Sequence, residues 1–77
     1  MEVNGWYMGL VKYVWGEPSA IHLKEAEFVK PMGHPPDPIP DADEQWIYNS
    51  INYTYTRIIW FKNKHVVLAI EENKSEY

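Results

Sequence analysis

Five of the chain's six prolines fall within ten residues, Pro31 to Pro40 (PMGHPPDPIP). Proline fixes φ and lacks an N–H, so this density excludes a helix and a central strand position alike. The segment reads as an extended surface loop in polyproline II form, and any regular structure must form in the stretches on either side. Its PPDP segment fits the PxxP pattern read by SH3-type domains but lacks a flanking basic residue, so a rigid loop is the plainer reading.

Before the loop, Trp6 to Trp15 is dense in aromatic and β-branched residues and contains no proline. That composition predicts a strand. Alternation would put Trp6, Met8, Leu10 and Val14 on one side and Tyr7, Val11, Tyr13 and Trp15 on the other, with Gly9 marking a bend or bulge. Gly16, Glu17, Pro18 and Ser19 have the composition of a turn. A second strand is expected from Ile21 through Leu23 to Phe28, with a one-residue slip at Lys24 and Glu25.

After the loop, Asp41 and Glu44 have capping-box spacing, so Glu44 to Tyr48 can begin either a helical turn or a strand. Ile51 to Phe61 (INYTYTRIIWF) has the highest β-propensity in the chain and predicts a strand. Lys62, Asn63, Lys64 and His65 read as a polar hairpin tip, with Asn63 suited to a left-handed conformation. A last strand is expected over His65 to Ile70, followed by a polar tail from Glu71. The sum is a single mostly β domain over residues 1–71: a small antiparallel barrel of four or five strands, with residues 31–44 as its loop.

Seventy-seven residues make a small core, and with no cysteine there is no disulfide to reinforce it. Four Trp, six Tyr and two Phe supply bulk instead, each able to bury on the order of 150 to 250 Å². Oligomerisation is therefore expected. The chain opens on no secretory pattern and has no apolar run of the roughly 20 residues needed to span a bilayer, which predicts a cytoplasmic protein without a membrane partner. Asn52 and Asn73 match the glycosylation pattern by chance in that setting. A net charge of −4 opposes broad electrostatic binding to nucleic acid while permitting a local basic site.

In this pattern the chain resembles the Sm-like family, small barrels that assemble into rings and in many members bind RNA. Gly9, Val11 and Val14 fit the first half of the family's first motif and Ile21, Leu23 and Ala26 the second half. Ile59, Phe61, Lys62, Asn63, Val66 and Val67 lie on the second motif. The departures are specific. The family's base-binding Asn falls at Ala20, the first-motif aspartate at Trp15, and the Arg-Gly pair at Lys62 and Asn63. The resemblance implies an Sm-like or SH3-like barrel, a homo-oligomer, and RNA as ligand.

Catalysis is not expected. His22, His34 and His65 each stand alone, no serine sits in a glycine elbow, and no glycine-rich phosphate loop exists. No cofactor or metal is implied. The candidate nucleic-acid site is Lys62, Asn63, Lys64 and His65, with Tyr55 and its neighbours Tyr53 and Trp60 as stacking surfaces. The candidate partner site is the acidic set Asp37, Asp41, Asp43 and Glu44, which could also simply be solvated. Two functions follow as expectations: an oligomeric module binding RNA or single-stranded nucleic acid, or a protein-interaction module such as an accessory or inhibitor protein of a phage or other mobile element.

Overall fold

A computed structural model describes residues 3–31, 41–49 and 55–73, the side chains of Tyr55 and Asn73 excepted. Most of the proline segment and residues 51–54 of the expected strand lie outside the described residues, as does Asp37. The elements run helix α1 (Met8–Trp15), strand β1 (Ala20–His22), a 3-10 turn (Glu25–Glu27), then strands β2 (Glu44–Asn49), β3 (Tyr55–Lys62) and β4 (His65–Asn73). The strands form one open antiparallel sheet in the order β1-β2-β3-β4. Among the described residues, β1 and β4 are its two edges.

The principal correction concerns Trp6 to Trp15, which is an arm followed by a helix and not a strand. Val3, Asn4, Gly5 and Trp6 form a tight turn, closed by the Trp6 N–H donating to the Val3 carbonyl at 3.0 Å. Gly5 takes φ +88, the left-handed value that the turn demands of its third residue. The arm pairs briefly with β4 through a single bridge, Tyr7 to His65, and the chain then winds into α1. Inside the helix Met8, Val11 and Trp15 stand at i, i+3 and i+7, one helical face. Val11 is fully buried and Met8 and Trp15 pack on the same cluster. Strand propensity lost to this packing, since propensity is a weak prior beside tertiary burial. Gly9 makes no bulge. It sits in the first helical turn beneath the Tyr7 ring, where a Cβ would lie 3.0 Å from a ring carbon.

The helix stops where the sequence offers its stop signal. Gly16 takes φ +79 and its N–H donates to the Lys12 carbonyl at 2.8 Å, and Pro18 follows. The second strand is also shorter than expected: β1 ends at His22, and the slip at Lys24 and Glu25 is the start of the 3-10 turn. Glu44 to Tyr48 takes the strand alternative. β4 continues past Ile70 to Asn73, with Glu71 opposite Arg57 on the ladder, so the strand outlasts its expected end at Ile70.

Two cores flank the sheet. On the helix side, Trp46, Tyr48, Ile59, Phe61 and Val66 gather with Val3 and Val11. On the other side, Ile47, Ile58 and Trp60 gather with Ala20, Phe28, Leu68 and Ile70 packed against them. A bulge at Val67 connects the two patterns. The ladder pairs Phe61 with Val66 and Trp60 with Leu68, skipping one residue. The skipped residue resets the alternation, so Val66 and Ala69 both face the helix.

Gln45 anchors the chain between the 3-10 turn and the proline segment. Its fully buried amide donates to the Val29 carbonyl and accepts from the Val29 N–H, each at 2.8 Å. One side chain thereby satisfies both main-chain groups of Val29, a replacement for a missing strand pairing.

Candidate functional site

The hairpin tip, the first candidate, is built as its residues predicted. Lys62 pairs with His65, and Asn63 and Lys64 between them take φ of 52° and 66°. Two central residues at positive φ define the tight turn whose twist matches a hairpin. The surroundings of the tip are less open than the sequence suggested. The Lys62 Nζ lies 3.6 Å from the Asp41 carboxylate. The Asn63 N–H donates to Asp43 Oδ2 at 3.2 Å, and the Lys64 carbonyl accepts from the Met8 N–H at 2.7 Å. His65 Nδ1 lies 2.9 Å from the Asn63 carbonyl, and the ring meets Tyr7 edge-on at 5.6 Å between centroids.

Two residue sets read as separate ligand sites therefore lie against each other. Asp41 lies beside the Lys62 ammonium and Asp43 accepts from the Asn63 N–H, so two of the acidic set engage part of the basic tip. Glu44, the last of the acidic set, accepts from the Trp46 indole N–H at 2.6 Å. Trp60, one of the expected stacking surfaces, is buried in the core opposite the helix, so its ring presents no face to a base. Tyr55 lies at the start of β3 opposite Asn73.

A cluster at the far end of the sheet fixes the C-terminal end of α1. The Trp15 ring lies under the Arg57 guanidinium at 4.3 Å and edge-on to Tyr48 at 5.7 Å. Arg57 also reaches Glu71 at 3.5 Å, and the Tyr48 hydroxyl donates to the Gly16 carbonyl at 2.8 Å. Burial pushes the Tyr48 hydroxyl up to about 12 from the usual 10.0, with Glu17 adding to the rise and Arg57 opposing it. The tyrosine stays a neutral donor at any physiological pH.

The sequence reading missed the outer side of α1. With Val11 and Trp15 turned inward, Leu10, Tyr13 and Val14 stand at i, i+3 and i+4 on the solvent side, 43%, 87% and 49% exposed. Tyr7, Ile21 and Leu23 are exposed nearby in sequence. A helix of this length packed on one face ordinarily carries polar residues on the other, and here Lys12 is its single charged residue. That charge is paired with Glu17 at 2.9 Å. The spacing that would have revealed the arrangement is Met8, Val11 and Trp15 followed by Gly16 and Pro18, an inward stripe with a stop signal behind it.

Gly9, Val11 and Val14, the first-motif positions of the Sm-like resemblance, lie on α1, and Ile21 lies in β1. No helix among the described residues is long and apolar enough to cross a membrane. Comparison with protein-family models, with curated proteins and with solved structures finds no match to this chain.

Proposed function

We propose that this chain is a non-catalytic protein-interaction module that docks through the outer side of α1. The observation that carries this reading is the triad Leu10, Tyr13 and Val14, apolar side chains held in water by a helix whose opposite face is already packed. An exposed large aromatic flanked by aliphatic residues is the composition of a binding hot spot. The partner it fits is a protein surface with an apolar groove and little charge of its own, because Leu10, Tyr13 and Val14 carry no charge and Lys12, which lies off their face, is paired with Glu17. Docking would be of the helix-in-groove kind.

The basic tip is given a structural role in this reading. Lys62 and the Asn63 N–H are engaged by Asp41 and Asp43, and a phosphate at Lys62 would compete with carboxylates in a chain of net charge −4.

The test uses the full chain with a photo-crosslinking residue beside the triad, in lysate of its source cells. A short uridine-rich RNA is titrated in parallel by fluorescence polarisation. One discrete crosslinked protein, lost with Leu10→Asp plus Tyr13→Ala and retained with Lys62→Ala plus Lys64→Ala, is expected. RNA binding abolished by the lysine pair, or capture indifferent to the triad, would replace this reading.

A further inference from the structure

We propose that two copies of this chain pair along the outer edge of β4, β4 against β4 about a two-fold axis at Ile70, to form one continuous eight-stranded sheet. The pairing uses the sheet edge and is independent of docking on α1.

The Val66 N–H donates to the Trp6 carbonyl and the Val66 carbonyl accepts from Gly5, so the Val66 main chain points away from β3. Residues on one face of a strand share that direction. Ala69 lies on the same face as Val66, and so does Glu71, opposite Arg57. Their N–H and C=O groups therefore point outward as well. Among the described residues no main-chain partner meets them. Among the described residues the N-terminal arm covers β4 at His65 and Val66, and the outward main chains of Ala69 and Glu71 lie beyond it.

Ile70 lies midway between these two outward-facing residues, so antiparallel self-pairing about Ile70 engages both. In this register Ala69 and Glu71 of one copy face Glu71 and Ala69 of the other. Each of these two pairs exchanges two N–H···O bonds. Glu72 falls opposite Leu68, and the two Ile70 side chains meet at the axis. No carboxylate faces another, and Arg57 lies against Glu71 within each copy. A register centred one residue later would set Glu71 directly against Glu71, which is destabilising. Charge thus disfavours that register, and one centred on Ala69 would bring Glu72 onto Val66, whose main chain the arm already holds, which leaves the Ile70 register. Leu68 and Ile70, partly buried on the Trp60 side, would extend that core across the axis.

An open edge of this length and composition invites another strand, and a second copy supplies one of matching length. Antiparallel pairs keep the same face up, so both α1 helices would lie on one side of the joined sheet. The dimer would present two docking faces together, a bivalent arrangement.

The test is cysteine crosslinking of the full chain, which has no cysteine of its own, alongside sedimentation velocity across the micromolar range. Across the axis the Ile70 Cα atoms would lie about 4.5 Å apart, within disulfide reach. Those of Val67 would lie roughly 20 Å apart, six residues of strand along. Ile70→Cys should oxidise to a covalent dimer at protein concentrations where Val67→Cys remains monomeric, and the unmodified chain should sediment as a dimer. Ala69→Pro, which removes an outward N–H without breaking the internal ladder, should shift it to monomer with unchanged circular dichroism. A monomer throughout the range, or equal crosslinking at both positions, overturns the proposal. Should the proline variant fail to fold, the cysteine comparison still decides it.

Discussion

Strands β2 to β4 and helix α1 are held by different means. The strands are bound by consecutive hairpin-like ladders and by pairs such as Trp46 and Phe61, 4.7 Å between ring centroids. Their residues have the propensity, alternation and turn chemistry of the structure they adopt. The helix has β-rich local chemistry and is kept helical by what lies beneath it: Val11 in the core, Trp15 against Tyr48 and Arg57, and the Tyr48 hydrogen bond to Gly16. Where local preference and tertiary packing agree, a segment is locally robust; where they disagree, its structure depends on distant side chains.

The comparison can be broken most severely from the strand side. Phe61→Ala empties a fully buried site and should cost about 3 to 5 kcal/mol, a large part of the stability of a small domain. Denaturant titration should show loss of the whole fold. Val11→Ala should cost about 2 kcal/mol but act locally. Hydrogen exchange should lose protection in α1 before β3 and β4.

Tyr48→Phe removes the bond to Gly16 and should cost about 1 kcal/mol at neutral pH. Its alkaline behaviour is more specific. The folded hydroxyl titrates near 12 against 10.0 when unfolded, so the unfolded state loses its proton first as pH rises. The associated stability is intact below pH 10 and is lost progressively between about pH 10 and 12. The phenylalanine variant should lack that component of alkaline unfolding. Lys64→Gly relieves a lysine held at φ 66° and should stabilise by about 0.5 to 1 kcal/mol, read as a raised melting temperature. Leu10→Asp with Tyr13→Ala should change stability least, within roughly 0.5 kcal/mol, while abolishing docking.

What the sequence made legible follows the same division. The hairpin tip, Asn63 at positive φ and the strand at Tyr55 to Phe61 were readable because each is determined within a few residues, whereas the single apolar row expected of Val66, Leu68 and Ile70 is split, Val66 facing the helix and the other two the opposite side. The helix was not, because the alternating and helical readings of Met8 to Trp15 both place apolar residues on every side. The stop signal of Gly16 and Pro18 behind the Met8, Val11 and Trp15 stripe is the one local cue between them, and the burial of Val11 against Ile59 and Phe61, contributed by a segment over forty residues away, decides it. The candidate site was misread for a related reason. The sequence displays Lys62 and Asp41 as opposite charges on separate loops, and their separation of 3.6 Å exists only once β2 and β3 have paired. The bulge at Val67 left no local signal either, since Val-Val is equally suited to regular strand.

The most direct test of the account is backbone assignment by NMR of the full chain, read over Met8 to Trp15. Helical Cα shifts, sequential amide contacts through those residues and contacts from Val11 to Ile59 and Phe61 are predicted, with Tyr13 contacting nothing outside the helix. Extended shifts with cross-strand contacts from Trp6 to Trp15 would restore the strand reading, turn Leu10 and Val14 to the face opposite Tyr13, and remove the docking surface.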